Sequence, residues 1–216
     1  MIVPEWPAAA NVQAATTTRA GGVSGPPYAS FNLADHVGDV PEAVAENRSL
    51  LAQSLQLPDS PLWLNQVHGN GVVDASSCGP GADADAGVSL QTGVGCAVLT
   101  ADCLPVLFCD RQGTRVAAAH AGWRGLAGGV LEATVTALDS APGQLMAWLG
   151  PAIGPQRFEV GEEVRNAFVG QHAEARGAFV ARPDGRWLAD LYRLAQIRLN
   201  AVGVHAIFGG GFCTYT

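Results

Sequence analysis

The chain alternates between short apolar runs rich in β-branched residues and longer segments in which apolar residues recur every three or four positions. The short runs predict strands and the periodic segments predict helices. The predicted strands cover residues 12–19, 61–68, 71–75, 94–100, 104–110, 115–120, 145–150 and 204–211, and the predicted helices cover 38–55, 126–139, 158–171 and 188–203. Strands grouped in the middle, with helices between and after them, predict an α+β fold with mixed sheets flanked by helices.

The helix over 38–55 has the clearest start signals. Asp39 is placed to cap it, Pro41 suits its first turn, and Val44, Leu51 and Leu55 form an apolar stripe. No linker rich in Pro, Gly and Ser divides the chain, and no segment repeats. We therefore predict a single domain over residues 1–216.

Composition and charge exclude several classes of protein. Hydrophobic residues make up 48% of the chain and charged residues 14%, a balance that builds a core rather than a disordered chain. The formal net charge of −7 argues against a protein that binds nucleic acid by neutralising phosphates. No apolar run reaches the roughly 20 residues of a membrane span, and the first residues lack the basic region of a signal peptide. We expect a cytoplasmic protein with no membrane partner; its oligomeric state is not readable from the sequence.

Three residues with metal-binding side chains lie at the ends of predicted strands. His68 closes one strand, Cys103 lies between two strands, and His120 closes a third. A thiolate and two imidazoles are zinc ligands, and three protein ligands leave a fourth position open, as in catalytic zinc sites. A thiolate also suits Cu(I), so the ligand types alone leave copper open. The wide spacing of the three residues leaves a second interpretation open, a buried thiol and two ordinary histidines.

A nucleophilic site is an alternative use of the same residues. Cys103 would attack, His120 would act as its base, and Asp102 would orient the imidazole. Successive residues of a strand point to opposite faces, which argues against Asp102 as the orienting acid. Asp102 has a further interpretation, a hydrogen bond to the backbone in the turn before Pro105.

Two glycine-rich turns carry arginines that could bind an anion. Arg124 lies in the turn over 120–129, where glycines allow close approach of a ligand and a guanidinium fits phosphate or carboxylate. Arg19 precedes a Gly pair in the segment 17–24. Asn47, on the first helix, either faces the same cleft or serves as a capping or surface residue. A tight turn with a solvated arginine is an equal alternative for Arg124.

Taken together, these segments resemble one family over essentially the whole chain. The segments that carry the resemblance are "TTRAGGVSGPPYASFNLADHVGD", "ENR", "NQVHG", "ADA", "TADCLPVLF", "HAGWRGLAGGVLE", "GPAIGPQRFEVGEEV" and "FGGGFCTYT". The family is the laccase-domain, or multicopper polyphenol oxidoreductase, family, now associated with purine nucleoside phosphorylase activity and with a peptidoglycan editing factor. Its members usually continue beyond "CTYT", so we expect a domain without that short tail.

The resemblance implies a site and an activity. It implies a zinc site, with copper possible, held by His68, Cys103 and His120. It implies phosphorolysis of adenosine, inosine and methylthioadenosine to base and ribose 1-phosphate, with adenosine deamination as a side activity. On that basis we expect a catalytic set of Asp102, Cys103 and His120, with Asp102 moving protons. The substrate or phosphate contacts are then expected from Arg19, Asn47 and Arg124.

Two other functions remain open for this family. One is recognition of a peptidoglycan precursor in cell-wall quality control, and the other is copper-dependent oxidation of polyphenols. A blue copper centre with a trinuclear cluster consumes many histidines, normally in His-X-His pairs. This chain has five histidines and no such pair, which argues against that oxidase chemistry.

The five cysteines are expected to differ in reactivity. They are Cys78, Cys96, Cys103, Cys109 and Cys213, with no C-x-x-C pair to indicate a disulfide framework. Cys103 alone is expected to be a thiolate at neutral pH, because proximity to a metal or a cationic imidazole lowers a thiol pKa. Cys96 and Cys109 are expected to be buried and inert.

Overall fold

The structure, a computed structural model, describes all 216 residues and contains five α-helices and nine strands. The helices are α1 Pro41–Ser54, α2 Trp123–Gly128, α3 Val130–Ala137, α4 Glu162–Val169 and α5 Leu191–Ala201. The strands are β1 Val72–Asp74, β2 Ala86–Ser89, β3 Leu104–Asp110, β4 Val116–Ala121, β5 Leu145–Leu149, β6 Glu159–Val160, β7 Phe179–Ala181, β8 Trp187–Ala189 and β9 Ala206–Gly209.

A six-stranded mixed sheet organises the molecule. Its strand order is β1-β2-β4-β3-β5-β9, with β1 parallel to β2, β5 parallel to β9, and the other neighbours antiparallel. A second sheet has three antiparallel strands in the order β6-β8-β7. The predicted α+β fold with mixed sheets is confirmed.

The main hydrophobic core lies between one face of the large sheet and helices α2 to α5. Alternate residues of β3, β4 and β5 point into it, as the two-residue period of a strand requires. Leu126, Leu131 and Leu194 are fully buried on the helix side. The opposite face of the sheet is also covered, since Met146 and Trp148 on β5 are buried outside that cluster.

Three predicted strands are not formed. Within 12–19 the only sheet-like contact is a single bridge between Thr16 and Ile2, and 61–68 and 94–100 likewise contribute only isolated bridges. These segments are extended, but no neighbouring segment runs beside them long enough to form a ladder. The sequence also missed β2, whose small residues "AGVS" gave little strand signal although all four are buried.

Three predicted helices have different limits. The helix over 126–139 is two helices, because Gly129 has φ 93°, a left-handed conformation that ends α2 and begins α3. The helices over 158–171 and 188–203 begin later than predicted, at Glu162 and Leu191, because the residues before them pair as β6 and β8.

Helix α1 is formed as predicted, but its cap is not. The N-cap residue is Val40, with no side-chain hydrogen bond to the helix. Asp39 instead accepts hydrogen bonds from the backbone N–H of Val40 and the side-chain amide of Asn32, so its carboxylate fixes the preceding loop. Helix α1, with 14 residues, is the longest helix.

None of the helices combines the length and the apolar character that a membrane span requires.

Candidate metal centre

Four segments of the chain meet at one edge of the large sheet. Because β1, β2 and β3 run in the same direction and β4 runs against them, the starts of the first three lie beside the end of the fourth. His68 precedes β1, Cys103 immediately precedes β3, and His120 lies at the end of β4. Sheet topology therefore brings together residues that are far apart in the sequence.

The three predicted ligands form a compact cluster. One ligand atom from each of His68, Cys103 and His120 lies within 4.8 Å of the others. The two imidazole rings meet edge to face, with centroids 4.7 Å apart. Tetrahedral zinc with sulfur and nitrogen ligands sets its ligand atoms about 3.5 Å apart, so a small inward movement of the side chains closes the site.

The cluster is open on one side. His68 is exposed, Cys103 half-buried and His120 buried, so solvent reaches the cluster from the side of His68. Gly122 forms part of its wall, because a Cβ atom there would lie 2.9 Å from the sulfur of Cys103 and 3.2 Å from the ring of His68. Only glycine leaves the thiol and the imidazole free to approach a common ion.

A buried acid that the sequence did not identify lies behind the histidines. Asp85 is 0% exposed, and its Oδ1 lies 2.8 Å from Nδ1 of His120. The same carboxylate accepts hydrogen bonds from the backbone N–H groups of Val67, His68 and Gly69. The sequence offers one indication of a buried acid here, since Asp85 comes directly before a short apolar run. The alternation "ADADA" over residues 82–86 is equally typical of a solvated turn, so this indication does not identify Asp85.

Two amide side chains hold the loops that carry the ligands. Gln66 forms a two-way pair with the backbone of Leu99, accepting its N–H and donating to its carbonyl, which ties the His68 loop to the approach to Cys103. Asn70 donates to the carbonyl of Gly128 and so links the same loop to α2. The ligand positions are therefore braced from both sides.

Asp102 lies beside the cluster but does not orient its histidines. The residue is exposed, its Oδ1 accepts a hydrogen bond from the hydroxyl of Thr214 at 2.6 Å, and its carbonyl accepts the N–H of Ile153. The expected alternative, a side-chain bond to backbone before Pro105, is not formed. Since Asp85 and not Asp102 contacts His120, the structure also lacks the Cys-His-Asp arrangement of a cysteine hydrolase with Asp102 as orienting acid.

Arg19 and Asn47 belong to a different cluster. Asn47 is fully buried, and its amide bonds Val23, Ser24 and Asn32 in the loop that precedes α1. Arg19 is exposed and donates twice to the carbonyl of Ala29. No hydrogen bond or ion pair joins either residue directly to the three clustered ligands.

Arg124 follows the ligand His120 by four positions. It follows Gly122 by two positions in the first turn of α2, is exposed, and lies with its guanidinium 4.5 Å from the ring centroid of Trp123. It forms no hydrogen bond or ion pair within the protein. Its guanidinium donors are therefore available to an anion.

A family model described as multi-copper polyphenol oxidoreductase laccase matches residues 13–216. The chain belongs to this laccase family. Among its relatives, a purine nucleoside phosphorylase from Pseudomonas aeruginosa is 60% identical over 217 residues, which cover 100% of this chain and 88% of the relative. Purine nucleoside phosphorylase YfiH of Escherichia coli is 56% identical, covering 100% of this chain and 89% of the relative.

Two solved structures have the same fold as this chain. A Neisseria meningitidis protein, NMB0706, is 53% identical and superposes with a TM-score of 0.96, covering 99% of this chain and 88% of its own. YlmD from Geobacillus stearothermophilus is 30% identical, with a TM-score of 0.82, and the match covers 92% of this chain and 80% of that one.

The arrangement of histidines limits what this member of the laccase family can build. His68 and His120 are in the cluster, whereas His36, His172 and His205 lie beside Asp35, Glu174 and Asn200 elsewhere on the molecule. The structure offers one three-ligand centre. A blue copper centre together with a trinuclear cluster would need more histidines than it places there.

The thiols of this laccase-family chain correct one expectation. In the metal-free protein, burial and then the charges of Asp102 and Asp85 raise the pKa of Cys103. The pKa of Cys213 is instead lowered to about 7, first by a hydrogen bond from the Thr216 side chain and then by backbone N–H groups. Cys103 is therefore not the one thiolate expected at neutral pH. As a ligand it loses its proton to the metal.

The pKa of His120 is lowered, mainly because burial disfavours the charged imidazole, against the opposing effect of Asp85. A neutral imidazole is the form that binds a metal. The expectation that Cys96 and Cys109 are inert agrees with their environment, since burial raises the pKa of Cys96 to about 12 and that of Cys109 to about 11.

Proposed function

We propose that this protein is a metal-dependent purine nucleoside phosphorylase. It would convert adenosine, inosine or methylthioadenosine and phosphate to the free base and ribose 1-phosphate. The observation that carries the proposal is the open cluster of His68, Cys103 and His120. Relatives that are named purine nucleoside phosphorylase and are 47–60% identical over 99–100% of this chain support it.

The resident metal is proposed to be zinc. The donor set of one thiolate and two imidazoles fits zinc, three protein ligands leave a position for substrate, and Asp85 bonds the imidazole of His120 as outer-sphere carboxylates do. The same donors suit Cu(I), so copper is the alternative that elemental analysis distinguishes. Bound zinc would supply a Lewis acid that polarises an oxygen of the substrate.

The protein's own residues would bind phosphate and move a proton. Phosphorolysis breaks the bond between C1′ of ribose and the purine nitrogen and forms a bond from C1′ to a phosphate oxygen. Arg124, free and exposed beside the centre, is the proposed phosphate contact, and Arg19 is a second candidate on the loop that Asn47 holds. Asp102 would relay the proton that the attacking phosphate loses to the departing purine nitrogen, since only its Oδ1 is engaged by Thr214 and its Oδ2 is free.

Deamination of adenosine is proposed as a side activity of the same centre. It replaces the amino group at C6 of the purine with oxygen from water and releases ammonia. Water has access, because His68 is exposed and Cys103 only half-buried. Inosine formed from adenosine without phosphate is the product that identifies this activity.

The proposal is tested by incubating zinc-loaded protein with adenosine, with and without phosphate, and separating the products by chromatography. Adenine and ribose 1-phosphate are expected with phosphate, and inosine without it. Cys103→Ala removes a ligand and should lose both zinc and turnover. Cys96→Ala is the matched control, because Cys96 lies outside the cluster and should cost only about 1 kcal/mol of stability.

Full zinc occupancy without any release of base from adenosine, inosine or methylthioadenosine would refute the phosphorylase proposal. If base is released but phosphate has no effect, the enzyme is a hydrolase. Equal turnover by Cys103→Ala and the unmodified protein would show that the metal centre is not the catalytic site.

A further inference from the structure

We propose that Asp85 is a positioning residue that sets the ligand geometry of both histidines of the metal centre. The inference rests on the metal site of the proposed function, though not on the nucleoside chemistry. Asp85 is completely buried and its carboxylate makes four contacts, with two on each oxygen. Its main chain joins the same arrangement, since its carbonyl accepts the N–H of His120 at 2.7 Å.

The contact with His120 selects the nitrogen that binds the metal. Both carboxyl oxygens of Asp85 already accept backbone N–H groups, so Asp85 faces Nδ1 of His120, 2.8 Å away, as an acceptor and Nδ1 carries the proton. The lone pair is then on Nε2. That nitrogen faces Cys103 across Gly122, where a Cβ atom would lie 3.5 Å from Nε2 and 2.9 Å from the sulfur. Asp85 therefore presents the correct nitrogen to the ion.

The hydrogen bonds that Asp85 accepts from backbone N–H groups fix the loop that carries His68. This residue has φ 58°, a left-handed conformation that is strained for a residue with a side chain. The N–H groups of Val67, His68 and Gly69 all point at the Asp85 carboxylate, at 3.2, 3.0 and 2.6 Å. Three converging donors hold the turn, and with it the direction of the exposed imidazole.

The charge of Asp85 has no arginine or lysine to balance it. Its only titratable neighbour within hydrogen-bond distance is the neutral imidazole of His120, and both groups are buried. A divalent ion held by the Cys103 thiolate would make the group of ion, thiolate and carboxylate neutral. Asp85 thus contributes to affinity for a divalent metal through its charge as well as through the positions it sets.

Asp85→Asn is the informative substitution, because it keeps the shape of the side chain. If the NH2 group of the substituted side chain takes the place of Oδ2, it faces the backbone N–H groups of Val67 and Gly69, and two donors cannot bond each other. If the NH2 group takes the place of Oδ1, it faces the backbone N–H of His68 and donates to Nδ1 of His120, which moves the imidazole proton to Nε2. Neither orientation preserves the site, so zinc affinity measured by chelator competition should fall about 10- to 100-fold.

The matched control is Asp83→Asn. Asp83 lies two residues earlier, is exposed, and accepts a hydrogen bond from the side chain of Asn65. The Asp83→Asn variant should bind zinc as tightly as the unmodified chain. Wild-type affinity in folded Asp85→Asn would overturn the proposal, and an equal loss in both variants would overturn it as well, since removal of any nearby charge would then suffice.

Nitrogen-15 NMR of the imidazole rings supplies a readout that turnover does not affect. In the metal-free, unsubstituted protein His120 should be in the Nδ1–H form, and in Asp85→Asn it should shift towards Nε2–H. If Asp85→Asn does not fold, the spectrum of the unsubstituted protein still decides, because an Nε2–H ring there refutes the inference. Failure of the phosphorylase assay with these results intact would remove the proposed reaction and leave the role of Asp85 standing.

Discussion

At the scale of single residues, four of the five thiols differ in the pKa that their environment gives them. Cys213 has a pKa of about 7, whereas burial raises the pKa values of Cys103, Cys109 and Cys96. The thiolate is the form that reacts with alkylating agents. The environment of each sulfur therefore predicts an order of modification in the metal-free protein.

Cys213 is expected to be alkylated first by iodoacetamide at neutral pH, and Cys96 and Cys109 last. Because half of a thiol is thiolate at its pKa, the rate at Cys213 should reach half of its maximum near pH 7 and level off only well above that pH. Peptide mass mapping over time measures the order, and Cys213→Ser should remove the fast phase. Earlier modification of Cys103 would contradict the assignment.

The cluster of three candidate ligands could be predicted from the sequence, and the residue behind it could not. His68, Cys103 and His120 carry metal-binding groups, and the family resemblance selected them together, although the strand predicted to end at His68 is not formed. Asp85 lies among small residues where a buried and a solvated acid look alike. Its burial depends on the pairing of β2 with β4, which places Ala86 opposite Ala119 and is not visible in either segment alone.

At the scale of elements, the connection between β3 and β4 depends on one carboxylate. Asp110 accepts hydrogen bonds from the backbone N–H and the hydroxyl of Thr114 and from the N–H of Arg115. Burial opposes ionisation, but these bonds outweigh it and lower the pKa of Asp110. Asp110 therefore stabilises the folded state more when charged than when protonated.

Asp110→Asn should lower the free energy of unfolding at neutral pH by about 1–2 kcal/mol, because the amide is a weaker acceptor than the carboxylate. The folded pKa is below the unfolded value of 3.8, so the wild-type advantage is complete above that pH and declines as acid protonates the folded carboxylate. Urea unfolding of both proteins at pH values above and below 3.8 measures this difference in stability. The control is Asp139→Asn, at an exposed acid paired weakly with Arg115, which should leave the free energy of unfolding nearly unchanged. A difference in unfolding free energy between Asp110→Asn and the unmodified protein that does not depend on pH would refute this explanation.

Long apolar or periodic segments were mostly predictable as elements, whereas of the short strands β1 and β9 were predicted and β2, β6, β7 and β8 were not. The pattern identified β3, β4, β5 and α1 because each carries enough residues to show its period. Strands β6, β7 and β8 have two or three residues and exist because they pair with one another. The extended segment 61–68 has strand composition but meets its neighbours at single bridges, so partner geometry overrode local preference.

At the scale of the whole molecule, one arginine joins the helices that cover the sheet. Arg198 on α5 is buried, pairs with Glu132 on α3, and donates to Gln171 at 2.7 Å, just after α4. Gln171 in turn donates to the carbonyl of Ala127 on α2. Four helices are thus connected through one polar network beside the core.

Arg198→Ala should reduce the free energy of unfolding by about 3 kcal/mol, because it leaves Glu132 largely buried without its partner. The double variant Arg198→Met with Glu132→Gln should recover part of the loss, as no uncompensated charge remains. Chemical denaturation of the single and double variants measures both. Additive losses would show that the two side chains are not coupled.

The strand order also imposes a time order on a growing chain. β2 and β3 are separated in the sheet by β4, which is made after both. Until residue 121 has been synthesised, neither strand has the neighbour that brings their starts together, and the last ligand does not exist. If the three residues hold a metal ion, all three can bind it only after the central strands have been synthesised, so such an ion does not guide the earliest folding of the nascent chain.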